Sequence, residues 1–242
     1  MSSHPPIAQI SRLGHQTLLI DADDTLWQNN IYFERAIAAF ISYLDHKVHT
    51  PEQVREHLNA CERATIAVHG YGVQSFRRSL VDCFEQLSEA RITPERHAQV
   101  LSFTDAIVSS EIELLPGVQE TLEELRKRHR LILVTKGNLI EQTDKVERSG
   151  LKPFFEAVEV PPEKNIAAYR KVVAEYRCEP ALTWMIGNSP KSDINPALGA
   201  GLNAVFIPHD STWILEHEVV DAPGLGQRLL ELSTFCDLLT HF

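Results

Sequence analysis

The sequence predicts an α/β protein, a Rossmann-like parallel sheet interrupted by an all-helical insert. Three observations predict it. Short apolar runs without polar alternation recur along the chain, the pattern of strands buried on both faces. Amphipathic helical stretches separate these runs, so successive strands are joined by right-handed crossovers. Between Asn29 and Glu113 the strand pattern stops and only helical periodicity remains.

The first strand is Thr17-Leu18-Leu19-Ile20, which ends abruptly in Asp21-Ala22-Asp23-Asp24-Thr25. Four helical patterns follow, Ile31 to Leu44, Glu52 to Ala67, Gln74 to Leu87 and Pro94 to Ser109, with His69-Gly70-Tyr71-Gly72 breaking the second from the third. Gly117 to Arg130 places Val118, Leu122 and Leu125 on one face, its acids first and its bases last, as the helix dipole prefers. Leu131-Ile132-Leu133-Val134 is the second strand and runs into Thr135-Lys136-Gly137-Asn138. Asn138 is placed to cap a helix running to Gly150, a C′ glycine. Ala157 to Val160 is a weaker strand before Pro161-Pro162, and Glu163 to Arg177 is a helix. Thr183-Trp184-Met185-Ile186 is the next strand, ending in Gly187-Asn188-Ser189. A short helix from Asp193 to Ala200 leads to the strand Ala204-Val205-Phe206-Ile207, which Pro208 closes. The tail from Asp210 to Phe242 carries apolar residues expected to pack on the core.

Composition excludes several function classes. The chain has 242 residues, 43% hydrophobic and 23% charged, an ordinary globular balance. Lys and Arg number 23 against 33 Asp and Glu, a net charge of −10 that repels nucleic-acid backbones and anionic lipid. No apolar run approaches the roughly 20 residues that span a bilayer, and the polar stretch Met1 to Arg12 lacks a signal-peptide core. Cys61, Cys83, Cys178 and Cys236 stand far apart, without zinc spacing, and read as reduced thiols of a cytoplasmic protein. The expected partner is a small molecule. Oligomeric state is not legible.

In an open parallel sheet, ligands bind beyond the carboxyl ends of the strands. The polar residues at those ends are Asp21, Asp23, Thr135, Lys136, Asn188 and Ser189, with Lys164 and Asp193 at nearby loop or helix-start positions. Carboxylates clustered at a strand end repel one another. A divalent cation with oxygen ligands, together with positive side chains, relieves that repulsion, and Mg²⁺ suits such donors.

These residues carry a family resemblance. Asp21-Ala22-Asp23-Asp24-Thr25 resembles the DxDxT motif I of the haloacid dehalogenase-like (HAD) hydrolase superfamily. Thr135 resembles its motif II hydroxyl, Lys164 its motif III lysine, and Gly187-Asn188-Ser189-Pro190-Lys191-Ser192-Asp193 its acidic motif IV, usually GDxxxxD. The four come in the family's order on the expected elements. The resemblance implies a HAD core over 1–28 and 114–242 and a helical C1 cap over 29–113. It implies a phosphatase in which Asp21 is the nucleophile that forms an aspartyl-phosphate. Asp23 is then general acid to the leaving alcohol and general base to the water. Thr135, Lys136 and Lys164 hold phosphoryl oxygens, and Lys164 also neutralises Asp21. Mg²⁺ is held by Asp21, the Asp23 main-chain carbonyl, Asn188 and Asp193. Asn188 departs from the family pattern, in which the first acid of motif IV is a charged ligand. An amide oxygen coordinates Mg²⁺ without bringing charge.

The resemblance leaves two rivals: a 2-haloacid dehalogenase, and a non-catalytic protein that binds a phosphate ligand. Asp23 favours phosphoryl chemistry, because the family's dehalogenases lack that acid. Phosphomutases share the core motifs. Among weaker signals, Trp27-Gln28-Asn29 is placed at the substrate or cap hinge. His69 to Gly72 could reach the leaving group, and Arg77 and Arg78 could recognise an anionic tail. Both of these read more simply as a turn and a solvated helix face. His209 and His217 read as surface residues and Trp184 as core.

Overall fold

The computed structural model describes residues 12–242, so the reading of the polar N-terminal stretch falls outside the described residues, apart from Arg12. Six parallel strands form one sheet: β1 Thr17–Ile20, β2 Arg130–Val134, β3 Ala157–Glu159, β4 Thr183–Gly187, β5 Asn203–Phe206 and β6 Leu229–Glu231, in the order β3-β2-β1-β4-β5-β6. The expected parallel α/β sheet is present, with one strand more than the sequence reading contains. β6 comes from the tail and pairs Leu230 with Val205.

The central strands are buried on both sides because alternate residues serve two apolar layers. Leu18, Ile20, Leu131, Leu133, Trp184 and Ile186 pack in one cluster with Val118, Leu122 and Phe242. Leu19, Ile132, Val134 and Met185 pack in the other with Tyr169 and Val172. The Trp184 indole N–H donates to Gln16 Oε1 at 3.0 Å, so the core placement leaves no polar atom unpaired. Register aligns Ile20 with both Leu133 and Ile186, which brings the residues after β1, β2 and β4 to one rim. The chain runs outward from β1 through β2 to β3, then returns to β4 on the other side of β1. The crevice between β1 and β4 is therefore the switch point where such sheets bind ligands.

Helices α1 Asn30–Leu44, α2 Pro51–His69, α3 Val73–Leu87, α4 Pro94–Ser102 and α5 Asp105–Ser109 lie between β1 and β2. They share a separate apolar cluster that includes Phe40, Leu58, Leu80, Phe84 and Val100. α2 starts at a capping box, with Thr50 and Gln53 satisfying each other's main-chain N–H and Pro51 at the first turn. The single helix expected over Pro94 to Ser109 is two. Buried Thr104 interrupts it, donating to Leu101 O at 2.7 Å and accepting from Arg77 Nε at 2.6 Å. The two strands of chain that enter and leave this block pair with each other: Gln28 N–H donates to Glu113 O and Leu115 N–H to Leu26 O, both at 2.9 Å.

The remaining helices flank the sheet: α6 Val118–Leu125, α7 Leu139–Arg148, α8 Ile166–Glu175 and α9 Asn195–Gly199. Asn138 caps α7, its side chain accepting from the N–H groups of Ile140 and Glu141. The helix expected from Asp193 begins differently. Residues 190–194 form one wide turn in which Ile194 N–H reaches back five residues to Ser189 O, at 3.1 Å, and α9 follows. That turn points Asp193 inward, where it is 1% exposed.

Candidate active site

Asp21 leaves β1 at the rim, and its own N–H still donates to Ile186 O of β4 at 2.9 Å. The carboxylate is therefore fixed at the switch point. Oδ1 accepts from Lys164 Nζ, and Oδ2 accepts from Thr25 Oγ1 at 2.9 Å. Lys164 Nζ also donates to Asp193 Oδ1 at 2.7 Å. Lys164 sits just before Asn165, the N-cap of α8, and is buried with both partners. Burial alone would strip its proton, but Asp193 and Asp21 outweigh that and hold its pKa above the usual lysine value.

One ammonium does not neutralise two carboxylates. Burial, and then the charge of Asp21, push Asp193 up to about 7 against the pull of Lys164 and the Ser189 N–H. Gly187 makes room for this carboxylate, since a Cβ at that position would overlap it.

Oxygen atoms of the kind that could hold a dication surround the Asp21–Lys164–Asp193 set. Asn188 turns its amide NH₂ to Thr212 Oγ1 at 2.9 Å, which leaves Oδ1 on the Asp21 side, 3.4 Å from Thr25 Oγ1. Among the described residues, no main-chain group donates to the Asp23 carbonyl. The donors are thus two carboxylates, an amide oxygen and a carbonyl, a hard-oxygen set. No group of three or more His, Cys, Asp or Glu among the described residues is arranged to hold a metal. Any dication here relies in part on the neutral oxygens. The N–H groups of Ala22, Asp23 and Lys136 also find no main-chain acceptor among the described residues, a set of donors suited to an anion.

Asp23 is held away from Lys164. Its carboxylate accepts from Lys145 Nζ at 2.6 and 2.7 Å, from Gln142 Nε2 at 2.9 Å and from Trp27 Nε1 at 2.8 Å. Burial pushes its pKa up, but the Lys145 charge and these donors outweigh it and hold Asp23 below the usual carboxylate range. Neighbouring Asp24 differs. It accepts from the N–H groups of Asn29 and Asn30 at 2.9 to 3.1 Å and so anchors the start of α1. Burial, together with the charges of Asp23 and Asp21, raises it to about 7 despite those bonds.

Thr135 Oγ1 donates to Gln142 Oε1 at 3.3 Å, and its N–H to Glu159 O at 3.0 Å. The Lys136 ammonium is engaged by a separate set of partners. Its ammonium donates to Ser192 Oγ and Glu216 Oε1, both at 2.7 Å, and lies within 3.3 Å of Tyr71 Oη and Glu163 Oε1. Burial opposes its charge, but Glu216 and its other partners raise its pKa above the usual value. Lys136 thereby ties the rim to the α2–α3 loop and to the tail.

A cavity of about 440 Å³ joins Asp21, Asp23, Thr135, Lys136, Lys164, Asn188 and Asp193 to the inner faces of α1 to α3, a size suited to a small metabolite. All seven residues expected from the sequence line it. Trp27 is buried against Asp23, and Asn29 lines the wall. Tyr71 and Gly72 also reach the cavity, so the His69–Gly72 break is more than a turn. Arg77 does not reach it. It bonds Thr104 and Asp105 instead, and Arg78 lines an outer groove. His209 and His217 are no pair: the first stands 4.0 Å from Asp24, and the second contacts Thr212 O.

Sequence reasoning missed Gln142, Lys145, Glu216 and Glu62. Gln142 and Lys145 lie three residues apart on one face of α7 and were legible as a polar pair aimed at the rim. Glu216 sits in a tail without a motif, and nothing local marks it.

The family profile of the haloacid dehalogenase-like hydrolases matches residues 15–201, and the chain belongs to this family. Among solved structures, it is similar to a haloacid dehalogenase-like family hydrolase of Xanthomonas campestris. The identity is 29% and the TM-score 0.78, over 95% of this chain and 92% of that one. The magnesium-bound HAD-hydrolase YfnB of Bacillus subtilis shares the fold, with TM-score 0.65 and 17% identity over 94% of this chain and 97% of that one. Among curated proteins, the chain is 31% identical to the glyceraldehyde 3-phosphate phosphatase of Methanothermobacter thermautotrophicus over 48% of its own length and 54% of that protein's. It is also 31% identical to the human N-acylneuraminate-9-phosphatase, over 44% and 43% respectively. The matches span about half the length of these relatives.

Replacing Lys164 by Met leaves Asp21 and Asp193 facing each other without their shared cation. The folded state is expected to lose about 3–5 kcal/mol, measured by urea denaturation at neutral pH. A loss below about 1 kcal/mol contradicts the assigned role.

Proposed function

We propose that the protein is a Mg²⁺-dependent phosphomonoesterase of the HAD family that hydrolyses a small phosphorylated metabolite in the cytoplasm. The observation that carries this reading is the buried Lys164 bridging Asp21 and Asp193 at the sheet switch point. The names of the curated relatives, two kinds of phosphatase and the pyrimidine 5'-nucleotidase YjjG of Escherichia coli, point the same way. Residues 29–113 are the C1-type cap, and residues 1–28 and 114–242 the core. The insert closes one side of the cavity, which favours a small substrate over a phosphoprotein.

Asp21 is the nucleophile. Its oxygen attacks phosphorus, the P–O bond to the leaving alcohol breaks, and an aspartyl-phosphate forms. Lys164 and the N–H groups of Ala22, Asp23 and Lys136 stabilise the charge developing on the phosphoryl oxygens, and Thr135 adds a hydroxyl. The Lys136 ammonium acts from one step back, orienting the rim through Glu216 and Ser192. Asp21, the Asp23 carbonyl, Asn188 and Asp193 would hold Mg²⁺, which supplies charge neutralisation between the carboxylate and the phosphoryl dianion.

Asp23 is the acid–base group. In the arrangement described, Lys145 keeps it ionised. That state suits proton removal from the water that cleaves the aspartyl-phosphate. Protonating an alkoxide requires Asp23 to leave Lys145 and carry a proton. The Asp23–Lys145 pair is thus a latch between two protonation states of one residue. The need for that acid separates this reading from a dehalogenase, since halide departs unprotonated.

Hydrolysis of p-nitrophenyl phosphate is expected to require Mg²⁺, to stop on chelation and to vanish in Asp21→Asn. Activity that survives either treatment overturns the reading. A second outcome concerns pH. The nitrophenolate leaves without a proton, so its turnover reports the basic form of Asp23. In Lys145→Met, burial is no longer offset and the Asp23 pKa rises. The acid limb of the kcat profile then moves to higher pH. A limb that stays in place or moves down contradicts the latch.

A further inference from the structure

Much of the cavity wall that the insert supplies is apolar, though Asn30, Ser75 and Ser79 also line it. Phe33 and Ile37 of α1, Ile66 of α2 and Phe76 of α3 line it, and Phe33 and Phe76 meet edge to face at 5.0 Å between ring centroids. One carboxyl group stands among them, Glu62, a helical turn before Ile66 on the same face of α2. It is 6% exposed, and its Oε2 is buried with no hydrogen-bond partner.

The neighbouring cations are committed elsewhere. Arg55 holds Glu34 through two bonds, at 2.6 and 2.8 Å, and Asn59 through a third at 3.0 Å. Arg63 holds Glu56 at 2.8 Å. The cations lining the cavity are Lys136, Lys145, Arg148 and Lys164. All belong to the core side, and each is paired with an acid. Burial, with the charge of Glu34, lifts the Glu62 pKa to about 7 against the pull of Arg55 and Arg63. A buried carboxyl oxygen without a partner is costly in a resting protein and is rarely kept without one.

We infer that Glu62 is the specificity residue for the leaving group, and that the preferred substrate is a phosphomonoester whose apolar body ends in a protonated amine. The inference rests on the phosphatase reading of the Asp21 end. The apolar walls take the body of the leaving group, and the ammonium donates to the unpartnered Oε2. The insert side offers no free cation among the described residues, so a second anionic group on the leaving group is disfavoured there.

The test uses para-(aminoalkyl)phenyl phosphates with one to three methylenes, the matched para-alkylphenyl phosphates, and the matched hydroxyalkyl compounds. For the wild type, kcat/KM on at least one amine probe is expected to exceed that on its alkyl isostere by about tenfold or more, mostly through KM. In Glu62→Gln that ratio falls to about one, whatever the absolute rates. No amine preference in the wild type, a preference that survives Glu62→Gln, or an equal preference for the hydroxyl compound overturns the assignment. The wild-type comparison decides the matter even if the variant fails to fold. If the wild type turns over none of the probes, the phosphatase reading fails separately. Calorimetric Kd values for the same amine and alkyl pairs then judge Glu62 by the same ratio.

Discussion

Everything at the rim depends on a single ammonium placed between two buried carboxylates. Asp21 follows β1 and Asp193 lies in the wide turn after the neighbouring strand β4, so strand order and that turn together bring them close. Without Lys164 the two charges would drive the strand ends apart or take up a proton between them. With it, the cluster holds together, but one cation is shared by two carboxylates, and burial with the charge of Asp21 still disfavours the ionised form of Asp193. That penalty is what a dication would answer. Asn188 in place of an acid limits it, since an amide oxygen adds a ligand without adding repulsion.

The same electrostatic logic sorts the other acids of the DADDT segment. Asp23 and Asp24 are adjacent in sequence, the first half-buried and the second buried, yet their pKa values shift in opposite directions. Asp23 faces an ammonium. Asp24 accepts from main-chain N–H groups and meets the negative charge of its neighbours, with no ammonium or guanidinium paired to it. The first is therefore held ionised against Lys145, while the second is a structural anchor joining β1 to the first helix of the insert. The division of labour lies in what each side chain meets, and residue type alone does not reveal it.

Much of the core was legible because its signals are local. Buried strands such as Leu131 to Val134 have no polar alternation, and each site residue sits directly after a strand or before a helix. Lys164 and Asp193, far apart in sequence, could be placed only through a motif pattern. The failures have physical causes. Leu229–Glu231 is a three-residue edge strand, too short for periodicity, and tertiary pairing with β5 creates it. Thr104 breaks a helix through a long-range bond from Arg77. Glu216 binds Lys136 from eighty positions away, a partner that no local signal marks. Glu62 reads as one more acid on an exposed-looking helix, and only the packing of α1 and α3 reveals its isolation.

The proposed role of Asp21, held by Lys164 and Thr25, is that of the nucleophile that accepts the phosphoryl group. Acid-quenching the enzyme during turnover of p-nitrophenyl phosphate and mapping its peptides by mass spectrometry tests this most directly. The account predicts one phosphoryl group on the peptide bearing Asp21, lost on treatment with hydroxylamine. Steady turnover with that peptide unmodified throughout, or with the phosphoryl group on another residue, would contradict it.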